Sequence, residues 1–178
     1  MAIPPGTYTL GPASGTLTVK TTRTGAAAKA GHDLVIEVTA WQATLEVGEV
    51  TSIALEADPT SLRVREGTGG VQKLGDDDKA NIEQTIDDEV LHGAPIEFRS
   101  TEVASTDDGA AVHGTLTLGG TTSPIAFDVA VGEDGSLHAS TVVTQSEWGI
   151  TPYSTLFGTL KVVDEVEVAL DATLPYAV

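Results

Sequence analysis

Cysteine is absent from this 178-residue chain. Disulfides, zinc–thiolate sites, iron–sulfur clusters and thiol nucleophiles are absent with it. Cations are scarce: nine Lys and Arg stand against 26 Asp and Glu, for a net charge of −17. So little basic surface excludes nucleic acid as a partner, because phosphate binding runs through Lys and Arg. It also disfavours a polybasic hold on an anionic membrane. Long apolar runs are missing, and none approaches the roughly 20 residues that span a bilayer as a helix. Stable membrane insertion is therefore not expected. The first residues, Met1-Ala2-Ile3-Pro4-Pro5-Gly6, carry neither a basic n-region nor an apolar h-region. The expected compartment is the cytoplasm.

What is present is 40% apolar residues, enough for a core, in a length that suits one domain spanning 1–178. The charge is unevenly spread. Residues 1–32 hold Lys20, Arg23 and Lys29 and no acid, so they sum to +3, and the remainder sums to −20. If an anionic head group is welcome anywhere, it is there.

Period-2 alternation dominates. Leu17 and Val19 alternate with polar residues. Leu34, Ile36 and Val38 begin a long stretch to Val47, with a phase shift near Ala40-Trp41 that a bulge or bend would produce. Ile53/Leu55, Leu62/Val64, Ile96/Phe98, Leu116/Leu118, Ile125/Phe127/Val129/Val131, Leu137/Ala139/Thr141/Val143 and Val166/Val168/Leu170 alternate likewise. Asp58-Pro59, Asp107-Asp108-Gly109, Gly119-Gly120 and Glu133-Asp134-Gly135 supply turns.

Residues 76–92 break the pattern. Ile82, Ile86 and Val90 recur every four positions, which predicts one amphipathic helix. Asp76 or Asp77 would cap it and Gly93 would end it, with Pro95 following. The chain is thus all-β, with eight or more antiparallel strands and one inserted helix. Such a set closes as a barrel or stacks as a sandwich, and periodicity does not choose.

Catalytic and metal motifs are sparse. His32, His92, His113 and His138 show no ligand spacing. There is no nucleophile elbow or P-loop. Asp76-Asp77-Asp78 lacks the spacing and final Glu of a calcium loop. No catalytic or metal-ligating residue is assigned. The chain is read as a non-enzyme, and the adjacent pair His32-Asp33 marks the place for an alternative enzymatic reading. Only eight aromatics occur, and the interior-type positions are Val, Leu, Ile, Ala and Thr. A barrel lined by such groups leaves room for a featureless hydrocarbon chain.

Several blocks in order resemble the YceI-like family of lipocalin-like polyisoprenoid-binding proteins. They are GTYTLGPASGTLTVKTTRTG (6–25), AGHDLVIEVTAWQATLEV (30–47), KLGDDDKANIEQTIDDEVLHGAPIEFRST (73–101), GTLTLGGTTSPIAFDV (114–129) and QSEWGI (145–150). The chain departs from the family pattern in three places. Gly11-Pro12-Ala13-Ser14-Gly15 replaces an opening D-P-x-H-S, Gly119 replaces a His, and Gln145 replaces an Arg. The polar contacts of those side chains do not carry over.

The resemblance implies an extended eight-stranded antiparallel lipocalin-like barrel. Its lumen would bind a long-chain amphiphile: a polyisoprenoid, an isoprenoid quinone or a fatty-acid-like lipid. The protein would serve as carrier, store or sequestering protein, and a homodimer is among the assemblies implied. No cofactor is expected beyond such a bound isoprenoid or quinone. Apolar type and strand phase nominate Ile36, Trp41, Phe98, Leu116, Phe127, Val129 and Phe157 for the lumen. Lys20, Arg23, Lys29 and His32 are nominated for a polar head. The rival readings are the enzyme at His32 and Asp33 and a closed structural or stress-related module.

Overall fold

The computed structural model describes residues 3–175. Its strands are β1 (Gly6–Leu10), β2 (Gly15–Thr21), β3 (Arg23–Thr24), β4 (Asp33–Val38), β5 (Trp41–Val47), β6 (Ser52–Ala57), β7 (Leu62–Thr68), β8 (Ile96–Thr106), β9 (Gly109–Leu118), β10 (Thr121–Val131), β11 (Ser136–Thr144), β12 (Ser154–Thr155), β13 (Leu160–Val162) and β14 (Glu165–Thr173). One helix, α1 (Asp76–Thr85), lies between β7 and β8. Eleven strands share one antiparallel sheet, and β12, β13 and β3 form a small second one.

The registers show that six of these strands are three long ones, each interrupted once. β1 and β2 both pair with the run 33–47, Leu10 opposite Ala43 and Leu17 opposite Val38. β4–β5 and β6–β7 then pair along both halves, with Trp41 opposite Ala57 and Val38 opposite Leu62. Each long strand pairs with the next in the chain through β8, β9, β10 and β11. β14 pairs with β11 on one side and returns to β2 on the other. Counted this way, eight antiparallel strands close a ring, the barrel that the resemblance implies. Alternation puts one face of every strand inside.

The phase shift near Trp41 is a corner. Between β4 and β5, the Thr39 N–H donates to the Ser61 carbonyl at 2.9 Å, and Asp58 N–H donates to Ala40 O at 2.9 Å. The buried Ser61 hydroxyl accepts from Ala40 N–H at 3.1 Å and donates to Asp58 O at 2.7 Å. The Asp58 carboxylate in turn accepts from the Thr60 hydroxyl and N–H, which hold it below its ordinary pKa.

Past the corner β6 pairs with β8, while β7 has β4 on one side and no strand on the other. Helix α1 takes that place. The Glu83 carboxylate accepts the edge N–H of Val64 at 2.9 Å, which satisfies a donor that the ladder leaves open. α1 continues as a π-helical turn, Ile86–Leu91, and ends in left-handed backbone at His92 and Gly93. The expected extent is met, but the expected cap is not. Gly75 precedes the helix, and Asp76 and Asp77 lie inside its first turn facing the dipole. Asp78 reaches back to accept from Gly75 N–H at 2.9 Å.

One seam is incomplete. β10 and β11 pair only at Val129–Ala139, Ala130–His138 and Val131–Leu137. Beyond Ala139 the two strands splay, although each keeps its other neighbour.

Two outcomes follow for the frame. Ser61→Ala strips the acceptor from Ala40 N–H inside the corner, and chemical denaturation should show a loss of about 1–3 kcal/mol. Native-state hydrogen exchange should find the amides facing across the splayed part of the β10–β11 seam exchanging far faster than those of the β9–β10 ladder. Uniform protection around the ring would mean that the seam is closed.

Candidate functional site: the barrel lumen

The inward faces do not meet. Val, Leu, Ile and Ala at alternate positions are too small to fill an eight-stranded ring, and they enclose about 740 Å³. That volume is typical of a small-molecule site. At about 3.3 Å per residue and a tilt of 35–45°, the eleven residues of β10 make a wall on the order of 25–30 Å high. The cavity is long rather than round.

Its middle is aliphatic, with Leu17, Ile36, Leu55, Leu116, Val168 and Leu170 from five strands. Phe98 and Phe127 contribute tilted rings 5.3 Å apart. The helix adds Ile86, Val90 and Leu91, since the wide π turn keeps all three on the inner side. Thr44, Thr85, Ser140 and Thr141 add hydroxyls to the lining, and further polar groups sit at the two ends. Thr21, Gln145 and Tyr153 lie at one, and Thr51, Ser105, Thr106 and Asp107 at the other. Gln145 is buried, and its amide donates to Val163 O at 3.2 Å. Among the described residues Asp107 is the one charged side chain of the lining, and no Lys or Arg reaches it.

The nominated residues divide. Ile36, Phe98, Leu116, Phe127 and Val129 line the cavity. Trp41 does not. It is buried in the core at the corner, following the bend rather than the lumen wall. Phe157 is a clear miss. It lies outside, fully exposed at 108% of its reference area, in the loop between β12 and β13.

None of the four nominated head-group residues lines the cavity. Lys20 alternates with Val19 and so faces outward, paired with Glu167 at 3.2 Å. Arg23 donates to Thr68 O at 2.7 Å and stands 3.8 Å from Asp33. Lys29 sits exposed on a 3-10 turn. The His32 Nε2 is bonded to Gln72 O at 2.6 Å, while Asp33 accepts from Arg23 N–H at 2.9 Å. The adjacent pair therefore serves two separate contacts. Periodicity could have added Leu34, Leu55, Val143, Val168 and Leu170, all of which line the cavity.

One end is stoppered by the turn Gln145–Trp148. Trp148 is buried against Val143, Ile150 and Val166, and its indole N–H donates to Leu116 O at 2.7 Å. Beside it, the β12–β13 loop holds three consecutive residues with positive φ: Leu156 at 51°, Phe157 at 56° and Gly158 at 80°. The two side-chain-bearing residues each cost about 1–2 kcal/mol in that region.

Compared with known families, residues 8–174 match the YceI-like domain. The chain belongs to the YceI-like family. No curated protein matches it. Among solved structures, BcnA of Burkholderia cenocepacia aligns with a TM-score of 0.67 at 15% identity, covering 91% of this chain and 97% of that one. A polyisoprenoid-binding domain from Saccharophagus degradans, described as implicated in plant cell wall breakdown, aligns at 0.55 and 12% identity over 97% and 100%. The Campylobacter jejuni YceI protein aligns at 0.55 and 15% over 80% and 85%. At these identities the shared property is the barrel. No helix among the described residues is long and apolar enough to cross a membrane.

Replacing the strained pair by the residues such turns prefer, Leu156→Asn with Phe157→Gly, should raise unfolding stability by on the order of 1 kcal/mol. A loss measured by thermal or urea unfolding would mean that the two side chains support the fold.

Proposed function

We propose that the lumen of this YceI-like protein binds one long-chain lipid with an uncharged head, a polyisoprenoid alcohol or an isoprenoid quinone, and that the protein acts as its carrier or sequestering protein. The observation that carries the reading is an apolar cavity running the length of the barrel with no cation on its wall. Each methylene brought out of water contributes about 0.8 kcal/mol. Association costs roughly 4–15 kcal/mol, so between about five and twenty buried carbons are needed for net binding. That requirement favours a chain over a compact ligand.

The electrostatics narrow the head group. A pyrophosphate or carboxylate drawn into a wall whose one charge is Asp107 would lose hydration and meet no counterion. Fatty acids and prenyl pyrophosphates are therefore disfavoured against neutral isoprenoids. The family membership and the polyisoprenoid-binding domain among the structural relatives support the same class. The cavity speaks against a closed module, and the separate contacts of His32 and Asp33 speak against a catalytic pair.

Native mass spectrometry and displacement of an apolar fluorescent probe test the reading. Geranylgeraniol and a short-chain isoprenoid quinone should compete, and geranylgeranyl pyrophosphate and palmitate should be at least about tenfold weaker. Val129→Trp places an indole in the lumen and should abolish uptake, while Lys20→Ala should leave it unchanged. Uptake of no chain-like ligand, or preference for the pyrophosphate, would overturn the proposal.

A further inference from the structure

We infer that the open part of the β10–β11 seam is the ligand's portal, a slit in the barrel wall through which an uncharged lipid chain enters and leaves sideways. The inference rests on the proposed lipid-binding lumen and adds the route into it.

The slit has defined ends. Three ladder pairs, the last of them Val129–Ala139, close the seam toward the turn at 132–135. At the far end the turn Gln145–Trp148 crosses from β11 to β10, where Ser123 Oγ donates to Glu147 O at 3.1 Å. Between these two clasps, residues 124–128 face 140–144, and among the described residues no ladder pair joins them. A stretch of this length makes an opening about 16 Å long. Pro124 stands on its rim. Proline has no N–H to give to a ladder and is kept to the edges of sheets. The β9 ladder runs straight through this position, with Pro124 opposite Thr115, so the edge it marks is the one toward β11.

Ser140 shows that the gap passes through the wall. Ala139 and Thr141 line the cavity, as alternation requires. Ser140 has the opposite parity and is exposed to solvent, yet it lines the cavity too. A side chain that meets water outside and the lumen inside lies on an opening. The jambs are mostly apolar. Ile125 and Phe127 line the cavity from one side of the slit, and Thr141 and Val143 line it from the other. Extending the register sets the exposed Ala126 opposite Val142, itself 58% exposed. Of the residues on the two facing stretches, Asp128 alone carries a charge. An uncharged chain can therefore pass from the outer surface to the lumen along aliphatic and aromatic groups.

The two ends of the barrel serve such a chain less well. One is stoppered by Trp148, buried and held by its bond to Leu116 O. The other is rimmed by Glu49, Asp107, Asp108, Glu133 and Asp134 in the connections between strands, and Asp107 is part of the lining itself. A chain threading lengthwise meets one or the other, whereas a chain entering sideways meets neither. Leaving the seam apart also forgoes ladder hydrogen bonds that the register would permit. Passage of the ligand supplies a reason for leaving them unmade.

Because the chain has no cysteine, the portal can be locked at will. Asp128→Cys with Ser140→Cys introduces the only two thiols, opposite each other one step beyond Val129–Ala139. Stopped-flow fluorescence follows uptake of N-phenyl-1-naphthylamine and its displacement by geranylgeraniol. Oxidation to the disulfide should slow both at least about tenfold, and reduction should restore them, with equal affinity in the two forms. Ser140→Trp, which needs no cross-link, should lower on-rate and off-rate together. Thr51→Trp, which narrows the acidic end, should slow exchange less than Ser140→Trp does. Equal rates in the oxidised and reduced forms, Ser140→Trp loading as fast as the unaltered chain, or a larger effect from Thr51→Trp would each overturn the portal while equilibrium binding upheld the lumen. Unaltered protein that takes up no probe at all would overturn the lumen reading, and the portal with it.

Discussion

Ser61 turns the chain's longest strands through a corner, and the ring depends on that turn. Its carbonyl takes Thr39 N–H, and its hydroxyl bridges Ala40 N–H and Asp58 O. Those contacts give the runs 33–47 and 52–68 a bend at matching points without leaving peptide groups dry and unpaired. With the bend, each long strand reaches two different sets of partners, and β14 finds β2. A straight hairpin of this length would extend past the barrel and expose its apolar face.

Closure leads to hollowness. Eight strands fix a circumference, and the sequence supplies inward side chains of modest size. Its bulkiest groups are placed elsewhere: Trp148 stoppers an end, Trp41 fills the corner, and Phe157 stands outside. Among the described residues, Phe98 and Phe127 put rings into the lumen and Tyr153 adds one at its end. The functional surface is therefore the inside of the wall, and the acids face water, where they oppose association.

The barrel was legible because alternation has a short period and the turns carry strong residues. The Gly119-Gly120 pair adopts the left-handed angles that a two-residue connection needs. The same rule reads the lumen wherever a strand is straight, as at Ile36, Leu116 and Val129. It fails where phase is lost. Trp41 sits at the corner, so its apolar character does not place it on the cavity. Phe157 follows no alternating partner and precedes Gly158, a turn signal that outranks its hydrophobicity. The basic segment misled for another reason. Net charge locates a patch along the chain, whereas strand parity decides which side of the wall it faces, and Lys20 alternates with Val19. The helix stripe was visible at every fourth residue, but the π turn that brings Leu91 into line with Ile86 and Val90 has no mark in composition.

The seam between β10 and β11 gives the cylinder a built-in line of weakness. Hydrogen-bonded by three residue pairs at one end, it is anchored like a partly closed zip. Widening it further breaks few bonds and leaves the other seven seams intact. Local opening of that kind lies far below global unfolding in free energy. The wall can therefore change its girth along this line, and a rigid-looking barrel acquires a soft direction in which to accommodate chains of different thickness.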